Sequence, residues 1–260
     1  MLTFRNINVI SLLLLISMLL CDFFIPSLSI PIWIYIILGL CWLTFTIIGS
    51  FNITWNYHLK AINKATITEK KIALTFDDGP NSTYTPLVLE LLAKYNATAT
   101  FFCIGKHIER HPDLVKEIVA QGHVIGNHSY SHSNFFDFYG TKKMTAELKK
   151  TDELVTNIID KKMNLFRPPY GVTNPSIAKA IKHSKHQVIG WNVRSLDTVL
   201  KDPKKCINRI IPKIKPGAIV LLHDSHENSV TILEQLLIFL QDNNYQTVSL
   251  ETLVNTKAYA

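Results

Sequence analysis

The sequence predicts an α/β protein in which a parallel sheet, open or closed into a barrel, follows an apolar N-terminal region. Two observations support this fold class. From residue 71 onward, short apolar runs alternate with longer segments of helical periodicity. Before that point, residues 30–49 form an uncharged run long enough to cross a membrane. Because parallel strands need crossover connections, the alternation indicates repeated βα units.

Residues 1–51 are predicted to be a membrane anchor of two transmembrane helices. Residues 7–20 are apolar apart from Asn8 and two serines, and residues 30–49 carry no charge. At about 1.5 Å per residue, the second run covers the hydrocarbon core of roughly 30 Å. A cleaved signal peptide followed by one spanning helix is the alternative. The uncharged length argues against a buried helix of a soluble protein.

Residues 52–69 are polar and are predicted to be a linker, and residues 70–255 form the predicted main domain. Strand-like and helix-like patterns alternate within that domain. The predicted strands are 71–76, 98–103, 123–126, 164–167, 187–193, 217–223 and 245–250. The predicted helices are 83–95, 107–121, 141–159, 174–183, 203–213 and 229–243. The shortness of the third and fourth strands favours an irregular barrel.

Charge and cysteine content argue against several classes of protein. Residues 1–57 hold one basic residue, Arg5, and one acid, Asp22, so the rest of the chain carries the net charge of +7. That surplus favours anionic surfaces such as phospholipids or glycans. It is spread along the sequence without a nucleic-acid-binding motif, so no nucleic-acid partner is expected. The four cysteines show no CxxC spacing, which argues against a disulfide framework and a thiolate metal site.

The central candidate site lies where the first predicted strand ends, in residues 71–80 (KIALTFDDGP). Gly79 and Pro80 stop the strand directly after Asp77 and Asp78. Loops at this end of a parallel sheet converge on a cavity. Two adjacent acids cannot share one orientation, so one can bind a cation while the other handles a proton. Taken alone, the pair is more typical of a solvated turn.

A pair of histidines follows the third predicted strand. His128 and His132 stand at i and i+4 and share one face if the segment takes a helical turn. With a strand-end carboxylate they make a facial set that leaves coordination positions open for water and substrate. The histidine pair alone is weak evidence for a metal site. The evidence becomes strong only beside Asp77 and Asp78 at the end of the first predicted strand.

Two further strand ends carry charged side chains. Arg167 is followed by two prolines, which fix the backbone, and Asp77 is the candidate partner for an inward guanidinium. The same loop presents peptide groups near Tyr170 to a cavity. His223 ends the strand 217–223, where an imidazole suits proton transfer near neutral pH, particularly with a carboxylate on its other nitrogen.

Five motifs, in their order and approximate spacing, resemble those of the NodB-type polysaccharide deacetylases, carbohydrate esterase family four. They are TFDDGP, HSYSH, RPPYG, the stretch from Trp191 to Asp197, and LLHD, and the resemblance covers roughly residues 70–250. Each motif alone is unspecific, but the five together are highly specific. The resemblance implies a distorted (β/α)₇ barrel, the NodB homology domain, and hydrolysis of N-acetyl groups on amino sugars.

The resemblance also implies roles on the metal side of the site. Asp78, His128 and His132 match the family's ligands for one divalent transition metal, usually Zn²⁺, with Co²⁺, Ni²⁺ or Mn²⁺ as alternatives. Asp77 matches the general base that takes a proton from the attacking water. Arg167 resembles the residue that orients this base.

On the opposite side, the resemblance implies a general acid and a substrate pocket. His223 matches the acid that protonates the leaving amine, with Asp197 as its orienting carboxylate. Tyr170 matches the residue whose backbone N–H donates to the oxyanion, and Leu222 is expected to line the acetyl pocket.

One motif departs from the family pattern. Arg194 and Thr198 stand where many members have an aspartate and a tryptophan, which affects substrate preference more than catalysis. The expected function is metal-dependent, membrane-anchored deacetylation of peptidoglycan, a chitin-like polymer or poly-N-acetylglucosamine. The alternative is a deacetylase or deformylase of a lipid-linked amino sugar, and a third reading is an inactive sugar-binding domain.

Two arguments about the side of the membrane disagree. The family resemblance favours an extracytoplasmic domain acting on a glycan. Arg5 precedes the first span, residues 21–31 hold no Lys or Arg, and Lys60 and Lys64 follow the second span. By the positive-inside tendency, a two-span hairpin then leaves both termini in the cytoplasm. The extracytoplasmic placement is the expectation adopted here, on grounds of function.

Overall fold

The structure, a computed structural model, describes residues 2–260. Its first two helices, α1 (Phe4–Phe24) and α2 (Ile32–Phe51), are long and apolar enough to cross a membrane, and most of their apolar side chains are exposed. They pack against each other around a short turn. The N–H of Phe4 donates to the carbonyl of Tyr57 (2.9 Å), so the start of α1 and the end of α2 both lie against the rest of the chain.

Polar side chains within this helical pair bond to each other. Asp22 accepts hydrogen bonds from the N–H of Ile30 (2.7 Å) and the hydroxyl of Tyr35 (2.6 Å). The indole N–H of Trp42 donates to the Asn8 side chain across the two helices (2.6 Å). Such pairing satisfies the polar groups that an apolar surrounding would otherwise penalise.

The remaining residues form one curled parallel sheet flanked by helices, which confirms the predicted α/β barrel. Its strands pair in parallel in the order β1-β6-β5-β4-β3-β2-β8-β7, and β9 pairs with the start of β2. The strands are β1 (Ala61–Ile62), β2 (Lys71–Asp77), β3 (Ala99–Cys103), β4 (Val124–Asn127), β5 (Leu165–Phe166), β6 (Gln187–Ile189), β7 (Val193–Arg194), β8 (Ile219–His223) and β9 (Gln246–Thr247). The helices are α3 (Tyr84–Lys94), α4 (Gly105–Arg110), α5 (Pro112–Ala120), α6 (Thr141–Ile159), α7 (Pro175–Ser184), α8 (Pro203–Ile210), α9 (Asn228–Asp242) and α10 (Leu250–Val254).

The predicted strand 187–193 is two strands at opposite ends of this sheet. Strand β6 pairs with β5 and β1, whereas β7 pairs with β8, so the three residues between them cross from one end of the sheet to the other. Gly190 begins the crossing, and a Cβ on it would stand 2.0 Å from Asn63 Oδ1. At its other end the Asn192 side chain accepts from the N–H of Ile219 (2.8 Å). This crossing draws the ends of the sheet into a distorted barrel.

Two other expectations also differ from the structure. The predicted helix 107–121 is divided into α4 and α5, because His111 has φ −131° and Pro112 starts the second helix without an N–H to donate. Residues 52–69 are not a free linker, since they contain β1 and the buried side chain of Tyr57. The N–H of Ala65 also donates to the carbonyl of Gly217 (2.8 Å), which fixes this segment to the barrel.

Strand β2 is buried on both faces and places the predicted acids at the barrel's carboxyl edge. Ile72, Leu74 and Phe76 belong to the apolar cluster that includes α3 and α9. Thr75 and Asp77, which alternate with them, face the barrel interior and bond to a buried arginine described below. The period-two alternation of a strand thus gives this run one structural face and one functional face.

His123, just before β4, gives the fold a pH-dependent stability. Burial lowers the pKa of His123 to about 4, and its Nδ1 accepts from the N–H of Ala99. The unfolded chain keeps this imidazole near its usual pKa of about 6.5. A folded-state pKa below the unfolded one means that the stability is complete above about pH 6.5 and is lost as the pH falls towards 4.

We therefore expect His123→Phe to remove part of the acid sensitivity of the full chain. Between pH 7.5 and pH 5, wild type should lose about 2 kcal/mol of unfolding free energy through this residue alone. Thermal unfolding in detergent at both pH values measures the difference, with exposed His183→Gln as the control. Equal acid sensitivity in His123→Phe and wild type would contradict the assignment.

Candidate active site

Six of the nine predicted site residues line one cavity of about 180 Å³ at the carboxyl ends of the barrel strands, namely Asp77, Asp78, His128, His132, Tyr170 and His223. Strand β2 supplies two acids, the loop after β4 supplies two histidines, and β8 supplies a third histidine. Further cavity residues come from the loops after β5 and around β7. The lining residues used below are Asp77, Asp78, His128, His132, Tyr170, Trp191, Arg194, Leu196, Thr198, Leu221 and His223.

Asp78, His128 and His132 form a compact set of possible metal ligands. One ligand atom from each lies within 4.8 Å of the others. His132 Nε2 is 3.3 Å from Asp78 Oδ1, and His128 Nε2 is 3.6 Å from the same oxygen. The Nδ1 of His128 lies 2.8 Å from the carbonyl of Arg167, which fixes the proton on Nδ1 and leaves the Nε2 lone pair facing Asp78.

The two histidines meet without the helical turn that their spacing suggested. Ser129 and His132 take left-handed conformations, with φ 63° and 44°, so the segment folds into a tight irregular loop. Asn127 Oδ1 accepts from the N–H of Ser129 (2.9 Å). The carboxylate of Glu147 accepts from the N–H groups of Tyr130 (3.1 Å) and Ser131 (2.7 Å). Asn127 and Glu147 therefore hold the loop, and sequence spacing alone gave no signal for either.

The donor set fits a divalent transition metal. Asp78 Oδ1 is buried, and among residues 2–260 no group donates a hydrogen bond to it. Burial and the neighbouring His128 lower the pKa of His132 to about 4, so its imidazole is neutral at pH 7, the form that binds metals. One carboxylate and two neutral imidazoles are the ligands that Zn²⁺ and similar ions prefer, and three ligands leave positions open.

Asp77 lies beside this set and is held by Arg167. Arg167 Nη1 donates to Asp77 Oδ1 at 2.7 Å, and the arginine is fully buried. The same guanidinium donates to the Thr75 hydroxyl (2.8 Å) and to the carbonyls of Ile189 (3.2 Å) and Gly190 (3.0 Å). The predicted partnership of Arg167 with Asp77 is thus present. The other oxygen of Asp77 is left to face the cavity, 3.8 Å from His128 Nε2.

His223 approaches the ligand set from the opposite side, and Asp197 holds it. Its Nδ1 is 2.7 Å from Asp197 Oδ1, and its Nε2 is 4.0 Å from Asp78 Oδ2. Burial alone would lower the pKa of His223. The hydrogen bond to Asp197 and the charges of Asp197, Asp77 and Asp78 outweigh that effect and raise the pKa to about 9. The imidazole is therefore protonated at neutral pH, as a general acid must be.

Asp197 has two further partners that the sequence did not single out. The hydroxyl of Ser195 donates to its Oδ1 (2.7 Å), and His226 Nε2 stands 3.7 Å from its Oδ2. Burial raises the pKa of Asp197, but the hydrogen bond from the His223 ring and the nearby imidazole of His226 lower it by more, so the net shift is downward. The position of His226, three residues after His223, was the one feature of the sequence that could have indicated this second partner of Asp197.

The expectation that Leu222 lines the acetyl pocket is wrong. Leu222 belongs to the apolar cluster on the helix side of β8, whereas Leu221 and His223 line the cavity. The reason is the alternation of side chains along a strand, which sends neighbouring residues to opposite faces. The apolar lining of the cavity comes instead from Leu221, Trp191 and Leu196.

Tyr170 lines the cavity at its rim, as predicted. Its φ of 58° is left-handed, and its ring centre lies 4.6 Å from that of His132. The Tyr170 hydroxyl donates to Asn134 Oδ1 (3.0 Å), which joins the loop after β5 to the loop after β4. Arg194 and Thr198, the two departures from the family motif, also line this cavity.

Comparison with known proteins agrees with this geometry. The sequence model of the polysaccharide deacetylase family matches residues 64–189. A peptidoglycan-N-acetylglucosamine deacetylase of Bacillus cereus is 36% identical over 203 residues, covering 73% of this chain and 90% of that protein. The peptidoglycan-N-acetylmuramic acid deacetylase PdaA of Bacillus subtilis is 34% identical over 193 residues and is covered to 73%.

Solved structures give the same result. A peptidoglycan N-acetylglucosamine deacetylase superimposes with a TM-score of 0.72 at 28% identity, covering 76% of this chain and 94% of that one. A family 4 pseudoenzyme from Bacillus anthracis superimposes with a TM-score of 0.69 at 27% identity, covering 75% of this chain and 68% of that one. The chain therefore belongs to the NodB-type polysaccharide deacetylases, the hydrolases of carbohydrate esterase family four.

Proposed function

We propose that this chain is a metal-dependent N-deacetylase of peptidoglycan amino sugars. In this proposal residues 1–51 anchor it to the membrane, and residues 70–255 form an extracytoplasmic catalytic domain. One observation supports the chemistry above all others. Two proton-transfer pairs, Asp77 with Arg167 and His223 with Asp197, flank a single set of possible metal ligands from opposite sides.

In this proposal Asp78, His128 and His132 would hold a divalent metal ion, which would supply Lewis acidity for activating water and polarising the amide carbonyl.

The chain's own residues perform the remaining steps. Asp77, oriented by Arg167, takes a proton from the attacking water as its oxygen bonds to the acetyl carbon. The backbone N–H of Tyr170 is proposed to stabilise the oxyanion. His223 then gives its proton to the amide nitrogen as the C–N bond breaks, and acetate and a free amine result. Leu221 and Trp191 exclude water around the acetyl methyl group.

Arg194 favours an acidic sugar among the possible substrates. It lines the cavity, its side chain is exposed, and its guanidinium carbon lies 5.8 Å from the centre of the Trp191 ring. A guanidinium recognises carboxylates through paired N–H donors. N-acetylmuramic acid without its stem peptide carries a free lactyl carboxylate close to the acetamido group, whereas N-acetylglucosamine carries none.

Asp77→Asn and Asp78→Asn should have different effects on metal binding. Asp77→Asn should keep its metal and lose turnover by about 10²- to 10⁴-fold, because it removes only the base. Asp78→Asn should lose metal affinity and turnover together, because it removes a ligand. Metal content by elemental analysis and acetate release are measured on the full chain in detergent. Near-full activity in Asp77→Asn would exclude this residue as the base.

His223→Gln should slow amide hydrolysis far more than ester hydrolysis. A sugar amine leaves only after protonation, whereas p-nitrophenolate leaves without it. We expect a loss of about 10²- to 10³-fold on an N-acetyl oligosaccharide and below about tenfold on p-nitrophenyl acetate. Equal losses on both substrates would mean that His223 acts on a step other than leaving-group departure.

Acetate release from a substrate panel tests the function itself. The panel holds intact peptidoglycan, peptidoglycan stripped of stem peptides, chitin oligomers, poly-N-acetylglucosamine and a lipid-linked amino sugar. We expect release from peptidoglycan, with a preference for the stripped form that Arg194→Gln reduces about tenfold. Release from the lipid-linked sugar alone would replace the polymer as substrate. No release from any member by metal-loaded protein would leave an inactive sugar-binding domain.

A further inference from the structure

The end of helix α2 touches the loop that forms the rim of the active site. The carbonyl of Ser50, in the last turn of α2, accepts a hydrogen bond from the N–H of Thr173 (2.9 Å). Thr173 is buried and lies three residues after Tyr170, a separation of at most about 11 Å along the chain. Tyr170 in turn packs its ring against His132. If α2 spans a bilayer, the cavity lies within a few residues of the membrane surface.

An exposed aromatic segment adjoins the same point. We call residues 134–140, which precede α6, the aromatic loop. Phe135 and Phe138 are 70% and 85% exposed, more than any other large apolar side chain in residues 52–260. The buried Phe136 between them fixes the loop to the barrel. The side-chain amide of Asn174, next to Thr173, donates to a carbonyl within the loop (2.7 Å).

Cationic side chains accompany these aromatic rings. Lys142 and Lys143 follow the aromatic loop in the first turn of α6 and are exposed, and Lys143 Nζ lies 3.5 Å from the centre of the Tyr139 ring. Arg5 and Lys60 are exposed where α1 begins and where the chain leaves α2. Apolar rings beside lysines and arginines are typical of surfaces that lie in the headgroup region of anionic bilayers.

We propose that the aromatic loop docks on the surface of an anionic phospholipid bilayer, with Phe135 and Phe138 inserted among the headgroups. The loop continues the membrane contact begun by α2, so the cavity opens along the bilayer and receives amino sugars held close to it. The proposal rests on the membrane anchoring within the proposed function, and it is independent of the deacetylase chemistry. Stacking on a glycan is the competing use of these rings, but neither ring lines the cavity, whereas Tyr170 does.

Spin labels in the full chain test the docking directly. The background carries Cys21→Ala and Cys41→Ala, and the remaining Cys103 and Cys206 are buried. A nitroxide is placed by Phe135→Cys, by Phe138→Cys, or by the control Ile238→Cys on α9, which packs against α3 and α8. The protein is reconstituted in vesicles of phosphatidylcholine and phosphatidylglycerol, and collisions with oxygen and with a nickel chelate are compared.

We expect the nitroxides at 135 and 138 to collide preferentially with oxygen, and the control at 238 to collide with the nickel chelate. Nickel access at 135 and 138 equal to that at 238 would overturn the proposal. Immobilisation of these labels by chitin oligomers, with nickel access kept, would also overturn it and assign the rings to glycan binding. Neither readout needs an active enzyme, so a failure of the deacetylase proposal leaves this test valid.

A kinetic measurement adds a second readout. The Phe135→Ser, Phe138→Ser double variant should hydrolyse a soluble chitin oligomer at the wild-type rate, because neither ring lines the cavity. On an N-acetyl sugar linked to lipid in the same vesicles, its rate should fall about tenfold, because the cavity mouth is no longer held at the surface. Equal rates of wild type and variant on the lipid-linked sugar would contradict the inference.

Discussion

The buried guanidinium of Arg167 is the group on which the whole site depends. Taking a positive charge out of water is unfavourable unless the protein satisfies it, and here one carboxylate, one hydroxyl and two carbonyls do so. The ring of Phe102 lies 4.2 Å from the guanidinium carbon and closes one face. Because the partners come from β2 and from the end of β6, the arginine ties distant parts of the barrel together. Its own carbonyl also orients His128, so the proposed base and a proposed metal ligand share one support.

The opposite wall of the cavity is arranged around a buried carboxylate in the same way. Asp197 accepts hydrogen bonds from Ser195, from the N–H of His223 (2.8 Å) and from the ring of His223. These contacts fix the imidazole and keep it charged. The two walls therefore differ in what they can do with a proton. On one side the Asp77 carboxylate can accept a proton, and on the other the His223 imidazolium can donate one. Amide hydrolysis needs this asymmetry because water loses a proton and the amine gains one.

The closure of the barrel connects the candidate site to the end of the molecule that carries α1 and α2. Gly190 lies in the crossing between β6 and β7, bonds Arg167 through its carbonyl, and donates its N–H to Ile62 of β1 (2.9 Å). Strand β1 belongs to the segment that follows α2. The segment expected to be a linker is thus part of the sheet. Hydrogen bonds at Thr173 and along β1 set the position of the barrel relative to α2.

The sequence by itself determined the fold class, the two apolar helices and the strand-end positions of the residues proposed to carry the chemistry, because each rests on local pattern. Apolar periodicity fixes strands and helices, and TFDDGP or LLHD places acids or a histidine at a strand end whatever surrounds it. Tertiary structure decided the rest. Residues 187–193 divide between two edges, since barrel closure is a long-range event. His128 and His132 converge through left-handed residues held by Asn127 and Glu147, contacts that no spacing along the chain encodes.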